Sequence, residues 1–233
     1  MGGWALYNSR WDWRAWLESR LDELATQPEI RGLIVDIRDN EGGLDCGHPI
    51  IERYTAQEDR APARRWVRYR RVPAHLNPVL DTWDDRFRDW GDLPAAPEPG
   101  FFSLPEADSR IRPRGPRITK PLVVLVNGVN SSATFGFAQR VQRGGLGLLI
   151  GEPTGGNQRG INGGAFFFVR LPGSGLEFDL PLIGYFPEGQ APDAGLMPDR
   201  RVVLRPEDVA RGSDPALAAA LAAVGERGAL RGG

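Results

Sequence analysis

The chain of 233 residues contains very little cysteine, histidine and lysine, and each scarcity removes a class of site. Cys46 is its single cysteine, which excludes an internal disulfide and a zinc site made of cysteines alone. The two histidines, His48 and His75, argue against a metal site built on several imidazoles, and we predict no metal or other cofactor. Lys120 is the single lysine among 29 basic residues, which constrains any mechanism that needs an amine.

Long apolar runs and an excess of either charge are also absent. The longest purely apolar stretch covers nine residues, 216–224, whereas a membrane span needs roughly 18. The 29 basic and 30 acidic residues leave a net charge of -1, without the positive excess typical of a nucleic-acid-binding protein. We therefore predict neither a membrane span nor a nucleic-acid partner. The N-terminal residues lack the apolar core of a signal peptide.

Short apolar runs alternate with amphipathic stretches, which is typical of an α/β protein. The runs at 33–37, 122–126 and 146–150 are continuous, as in strands buried on both faces of a parallel sheet. Residues 165–171 and 176–180 flank Pro-Gly-Ser-Gly and predict a β-hairpin. Helices are predicted over 11–26, 44–54, 133–141 and 216–224.

The segment 55–117 interrupts this pattern and is rich in Arg, Pro and Trp. We predict that it is an insertion or lid within a single core formed by residues 1–54 and 118–233. Its arginines crowd around Trp66 and Tyr69, a composition that would suit single-stranded nucleic acid. Because nearby acids balance them, we expect instead that the arginines pair with aspartates. The arginines are Arg64, Arg65, Arg68, Arg70 and Arg71, and the aspartates are Asp81, Asp84, Asp85 and Asp89.

Three turns rich in glycine and asparagine, 39–43, 127–132 and 151–157, follow the predicted strands. In an open α/β sheet, ligands bind beyond the carboxyl ends of the strands. The sequence therefore predicts a functional site where these turns meet.

Ser132 combines a reactive side chain with a favourable location, between a buried strand and a helix. The free N–H groups and the dipole at a helix N-terminus favour negative charge, which suits a serine nucleophile and its oxyanion. Serine is also a favoured helix cap, and Ser131 could exchange roles with Ser132. Gly42 and Gly43 allow close backbone approach, so that one of their N–H groups could bind an oxyanion, or the pair could simply form a tight turn.

The ordered motifs LIVDIRDNEGG at 33–43, VLVNGVNSSAT at 124–134 and IGEPTGG at 150–156 resemble those of the C-terminal processing (tail-specific) and tricorn-type serine peptidases, as does LMPD at 196–199. The resemblance covers roughly residues 11–224 apart from the insert. It implies a crotonase/ClpP-like βαβ superhelical sandwich, here with a small β-hairpin extension. It further implies a serine-type endopeptidase that acts on peptide or protein substrates.

The same resemblance assigns roles to individual residues. Ser132 is implied as the nucleophile, with Ser131 as the alternative. The oxyanion hole is implied to consist of the N–H of Gly42 or Gly43 together with the N–H of Ala133.

The general base is where the sequence departs from the family. Asn157 stands where the processing peptidases carry a catalytic lysine after the third motif. Lys120 begins the strand that ends near Asn127, roughly 20 Å away at about 3.3 Å per residue, which is the wrong end of the sheet. The tricorn-type branch uses an upstream histidine with a supporting carboxylate, for which this chain offers His48 and Asp193.

Family members usually carry a helical or PDZ-like part before the first core strand. We therefore expect the chain to be the C-terminal catalytic portion of a longer peptidase, periplasmic or secreted in its full-length form, and to hydrolyse peptides slowly by itself. One rival is a catalytically impaired homologue that binds peptides or small ligands in the same cleft. A second rival is acyl-thioester chemistry, as in crotonase relatives, although the serine turn argues against it.

Overall fold

The structure, a computed structural model, describes residues 3–229. Its α-helices are α1 Trp13–Thr26, α2 His48–Tyr54, α3 Ser132–Arg143, α4 Pro206–Ala210 and α5 Pro215–Ala229, and two 3-10 helices span Ala74–Val79 and Asp85–Arg88. Its strands are β1 Leu33–Asp36, β2 Asp59–Arg60, β3 Arg64–Val67, β4 Leu80–Asp81, β5 Phe102–Ser103, β6 Arg110–Ile111, β7 Leu122–Val126, β8 Leu148–Gly151, β9 Ile161–Arg170, β10 Glu177–Phe186 and β11 Arg200–Arg201. Among the described residues, no helix is both long and apolar enough to cross a membrane.

The chain divides into two compact units. The first unit contains residues up to 61, residues 109–157 and residues from 193 onward, and the second contains 62–108 and 158–192. This division departs from the predicted boundaries, because the β9–β10 hairpin groups with the inserted segment and not with the core. The assignment of that segment as a lid stays a prediction.

A four-stranded parallel sheet forms the centre of the first unit, in the order β1-β7-β8-β11. The pairings Leu33 with Leu122 and Val123 with Leu148 set its register. All five residues of β7 are buried, since this strand has a neighbour on each side and packing on both faces. The three predicted strands are thus parallel neighbours, as expected, and their carboxyl ends lie at one edge of the sheet.

An alanine-rich face of α5 covers one side of this sheet. The cluster joins Ala216, Ala219, Ala220 and Ala223 to Val123, Leu125 and Ile150. Because residues alternate between the faces of a strand, Val124 points to the opposite side. Helix α3 packs against β8 and against α2. The short antiparallel pair β2–β6 also belongs to this unit.

The second unit is built on a five-stranded antiparallel sheet in the order β4-β9-β10-β3-β5. The predicted hairpin is present, but it is longer than expected and forms the middle of this sheet. Its register shifts between Pro181 and Ile183. Phe167 and Ala165 lie in the core of the unit, whereas Phe178 is exposed near the hairpin end.

The arginines of the second unit differ from expectation. Among the five clustered arginines of the described chain, Arg71 pairs with a carboxylate, that of Asp89, at 3.0 Å. The guanidinium of Arg68 instead stacks on Phe101, at 3.9 Å from the ring centroid. The other three both stack on aromatic rings and donate to backbone carbonyl oxygens: Arg64, Arg65 and Arg70. The predicted pairing with aspartates is therefore wrong for four of these five, because ring faces and carbonyls nearer in the fold satisfy them. Asp84 and Asp85 do pair with arginines of the same segment, Arg86 and Arg88.

Candidate active site

Ser132 occupies a sharp turn between β7 and α3, within the first unit. Its φ of +46° is uncommon for a residue with a side chain, and Ser132 is exposed. Ser131 is the N-cap of α3, yet its side chain forms no cap hydrogen bond. Helix α3 begins at Ser132, one residue earlier than predicted. Simple helix capping therefore does not account for this pair of serines.

Gly42 packs directly against this turn. A Cβ atom placed on Gly42 would lie 2.8 Å from the Cβ of Ser132 and 3.0 Å from the backbone nitrogen of Ala133. Such distances are too short for a side chain, and the φ of +118° at Gly42 is also unfavourable for one. The first turn of the sequence and the serine turn are thus in contact, as predicted.

The backbone donors beside Ser132 are not equivalent. The Gly42 N–H donates to Oδ1 of Asn40 at 3.0 Å, so it is already used. The N–H groups of Gly43 and Ala133 donate no hydrogen bond to any described residue. Each turn therefore offers one open donor, that of Ala133 next to Ser132 and that of Gly43 next to Gly42.

Gly43 also adjoins the first segment of the chain. It pairs with Trp4 in a parallel bridge, and a Cβ atom at Gly43 would collide with the Trp4 carbonyl. Trp4 is 3% exposed, and its ring lies 5.7 Å from that of Phe137 on α3. The N-terminal segment therefore packs directly against the glycine turn.

Asn130 joins all three glycine- and asparagine-rich turns. It is completely buried, and its side-chain amide donates to the carbonyls of Ile37 and, at 3.2 Å, of Asn40. Its own carbonyl accepts the N–H groups of Gly155 at 3.0 Å and Gly156 at 2.9 Å. One side chain and one peptide group thus hold the first and third turns on the serine turn.

Thr134 provides a second link. Its buried hydroxyl donates to the Asn40 carbonyl at 2.9 Å and lies 2.8 Å from the carbonyl of Ser131. Sequence reasoning missed Asn40, Asn130 and Thr134, because asparagine and threonine in a turn usually serve the local backbone. The recurrence of asparagine in each of the three turns was the available signal.

The third turn is held by close packing. A Cβ atom at Gly155 would collide with the Gly128 carbonyl, and one at Gly156 with the ring of Phe135. Thr154 exchanges two hydrogen bonds with Leu196, of 3.1 and 2.8 Å, which fixes the LMPD segment beside this turn.

Asn157, at the position where the resemblance implies a lysine, is hydrogen-bonded to Asp193. Nδ2 of Asn157 donates to Oδ1 of Asp193 at 2.8 Å. Asn157 and Asp193 are therefore adjacent, but neither the amide of Asn157 nor the exposed carboxylate of Asp193 can replace the amine of a lysine base.

His48, the candidate base, has a carboxylate partner at the start of α2. His48 begins α2 and lies beside Asp45, with Nε2 to Oδ1 3.7 Å, and burial lowers the pKa of its imidazole. The positive charge of Arg140 also lowers this pKa. Arg140 lies eight residues, or about 12 Å, along α3 from Ser132. No described hydrogen bond joins His48 to Ser132.

Lys120 is remote from the site. Its Nζ donates to the carbonyl of Gln27, and the residue precedes the first residue of β7. It therefore lies at the amino end of the sheet, as predicted.

An ion-pair group lies at the carboxyl end of β1. Arg38 bonds both carboxylate oxygens of Asp36 and of Asp214, at 2.6 to 3.0 Å. Asp36 is exposed, so this ion pair is in contact with solvent. A cavity of about 430 Å³ lies beside the group and is also lined by Asn127 and Glu152. Among the described residues, no group of three or more His, Cys, Asp or Glu could hold a metal ion.

The first unit has a parallel sheet, an exposed serine between a strand and a helix, and open N–H donors in the adjoining turns. This arrangement is typical of α/β proteins that hydrolyse bonds with a serine nucleophile. The chain belongs to peptidase family S41, whose family model matches residues 5–202. The resemblance drawn from the motifs is thereby confirmed, together with the α/β fold.

Two solved structures show the same fold. A candidate peptidase from Parabacteroides merdae ATCC 43184 is 22% identical, with a TM-score of 0.59, over 89% of this chain and 56% of that one. Mature CPAF is 16% identical, with a TM-score of 0.58, over 90% of this chain and 47% of that one. The chain thus spans about half the length of these structures. A search of curated proteins finds no match.

Proposed function

We propose that this chain carries the nucleophile and oxyanion hole of a serine-type endopeptidase that hydrolyses peptide bonds in peptide or protein substrates. The observation that supports this most is the contact between Gly42 and the Ser132 turn, which joins an exposed serine to the two turns that carry open N–H groups. Membership of a peptidase family supports the same reaction class.

In this mechanism, Oγ of Ser132 attacks the carbonyl carbon of the scissile bond, and its hydroxyl proton passes to water. The carbonyl oxygen becomes an oxyanion and accepts hydrogen bonds from the N–H groups of Ala133 and Gly43. Gly43 is preferred over Gly42 because Asn40 already accepts the Gly42 N–H. Preorganised donors of this kind are worth roughly 10²–10³ in rate each. The C–N bond then breaks, the amine leaves with a proton taken from water, and a second water hydrolyses the acyl-enzyme to release the acid and restore the Ser132 hydroxyl.

The proposal gives the proton-accepting role to neither His48 nor Lys120, because each has another partner in the structure. A serine hydroxyl without a base within about 2.6–3.2 Å is a poor nucleophile. The residual catalysis of an oxyanion hole and substrate binding is roughly 10³–10⁴ over water. We therefore expect slow turnover by the 233-residue chain.

The test is covalent labelling with a fluorophosphonate, followed by mass spectrometry of the labelled peptide. We expect slow labelling at Ser132, loss of labelling in Ser132→Ala, and retention in Ser131→Ala. Labelling that survives Ser132→Ala and disappears in Ser131→Ala would move the nucleophile by one residue. A folded protein that is never labelled would contradict the proposed function.

A second candidate function is a catalytically impaired homologue that binds peptides or small ligands in the same cleft. The hydrogen bond between Asn157 and Asp193, at the position where the family resemblance puts a lysine, favours it. It predicts saturable peptide binding with no labelling and no turnover.

A further inference from the structure

Two sets of hydrogen bonds join the turns that carry the open donors. In one set, Oδ1 of Asn127 accepts the Asp39 N–H at 3.1 Å and Nδ2 of Asn127 donates to Oδ1 of Asp39 at 2.8 Å; Asn40 forms the other set. The serine turn supplies Ala133, and the glycine turn supplies Gly43. Asn40 lies within the glycine turn, 39–43, and its carbonyl oxygen accepts from Oγ1 of Thr134 at 2.9 Å and from Nδ2 of Asn130 at 3.2 Å. Both donors belong to the serine turn or to the first turn of α3.

All three residues are buried, with exposures of 3% for Asn40 and 0% for Asn130 and Thr134. Buried hydrogen bonds of this kind hold their partners in one geometry, because an unpaired carbonyl away from water is costly. Asn40 then transmits the restraint along its turn, since its side-chain Oδ1 accepts the N–H of Gly42. The N–H of the next residue, Gly43, has no acceptor among the described residues.

We propose that Thr134 and Asn130 are positioning residues that set the spacing between the Gly43 and Ala133 donors. This inference rests on the proposed function. The side chains do not touch the substrate; they act through the Asn40 carbonyl. An error of about 1 Å in such a site can cost roughly 10²-fold in rate, so a single hydroxyl has a measurable effect.

Thr134 offers a matched pair of variants for the test. Thr134→Val preserves the shape of the side chain and removes the hydroxyl, whereas Thr134→Ser keeps the hydroxyl and removes a methyl group. Val129→Ala, a truncation in the same turn at a residue that is 38% exposed, is the control for any change in the turn itself. The readouts are the rate constant of fluorophosphonate labelling at Ser132, and kcat and KM for an activated ester, each measured where circular dichroism shows folded protein.

We expect Thr134→Val to lower the labelling rate and kcat about 10- to 100-fold with little change in KM. Thr134→Ser and Val129→Ala are expected to remain close to the unsubstituted chain. Where Thr134→Val does not fold, Asn130→Ser replaces it. The serine side chain is too short for its hydroxyl to reach the carbonyls of both Ile37 and Asn40. The same loss of rate is expected from it.

Three results would overturn the inference. A folded Thr134→Val, or its replacement Asn130→Ser, that is labelled as fast as the unsubstituted chain shows that the donors need no such restraint. Equal losses in Thr134→Val and Thr134→Ser show that the methyl packing matters and not the hydroxyl. A folded unsubstituted chain that is not labelled at all defeats the proposed function itself, and this inference with it, and is recognised before any variant is compared.

Discussion

Single residues decide the chemistry of this site. Ser132 adopts a positive φ, Gly42 leaves room for it, and Asn157 occupies the position where the resemblance implies a lysine.

A lysine introduced at position 157 should act as a general base for Ser132. Gly156 donates to the Asn130 carbonyl at 2.9 Å, so a side chain at 157 begins beside the serine turn. We expect Asn157→Lys to raise the labelling rate of Ser132, because a neutral amine there can accept the hydroxyl proton. The carboxylate of Asp193 would raise the pKa of that lysine, so the double variant with Asp193→Asn should be the more active.

General base catalysis contributes roughly 10²–10⁴-fold, and an imperfectly placed amine should give at least about 10-fold. The measurement is labelling rate against pH, which should increase as the lysine loses its proton. Asn157→Met is the control, since it has similar length and no amine. Equal rates for the lysine and methionine variants would contradict the prediction.

A side chain at position 42 should destabilise the protein, because Gly42 packs closely against Ser132. Gly42→Ala adds strain at a φ of +118° and a contact of 2.8 Å with Ser132. We expect the free energy of unfolding to fall by about 3 kcal/mol or more, and labelling of Ser132 to be lost. Gly145→Ala is the control, because Gly145 also has a positive φ, +60°, but nothing within 4 Å of its added Cβ. It should cost about 1 kcal/mol. Chemical denaturation measures both, and equal costs would refute the role of the contact.

At the scale of elements, the N-terminus of α5 is joined to the end of β1. Asp214 caps the helix by accepting the Leu217 N–H at 2.9 Å and also pairs with Arg38. The hydrogen bonds from Arg38 lower the pKa of the Asp214 carboxyl. The cap and the ion pair can be separated by substitution.

Asp214→Asn keeps a capping oxygen and loses the charge, and we expect a cost below about 1 kcal/mol, since the pair is partly exposed. Asp214→Ala loses the cap too and should cost about 1 kcal/mol more. The difference between the unsubstituted chain and Asp214→Asn should be present above the unfolded carboxyl pKa of about 3.9 and vanish as pH falls through the lower folded value. Denaturation at a series of pH values tests this, and a difference that persists at the acid end would contradict it.

At the scale of the whole molecule, Cys46 reports on global opening. It is 1% exposed and is the single cysteine of the chain, and burial, aided by the charge of Asp45, raises the pKa of its thiol to about 11. We expect its reaction with a thiol-specific disulfide reagent to be about 10³-fold or more slower in the native protein than in denaturant.

Cys46→Ala supplies the baseline of this measurement. Because the folded pKa is the higher one, the contribution of this group to stability is complete below the unfolded thiol pKa of about 8.5 and decreases as pH rises toward 11. Prompt reaction of the native thiol would show that the region around α2 opens independently of global unfolding.

The sequence by itself determined the order and type of the main elements. Apolar runs identified β1, β7 and β8, because strands buried on both faces consist mostly of apolar residues. The expectation of full burial fails for β1, whose first three residues are partly buried and whose last, Asp36, is exposed. Glycine-rich turns after these strands marked the edge at which a site forms. The motifs then identified the family, since several ordered motifs constrain one another.

Only the tertiary structure decided which groups meet. The contact of Gly42 with Ser132, the link from Thr134 to Asn40 and the partners of the arginines all join residues distant in sequence. Local patterns carry no information on such distances, because packing brings these groups together after the elements form. For the same reason, the choice of Gly43 over Gly42 as a donor emerged only once the bond from Gly42 to Asn40 was known.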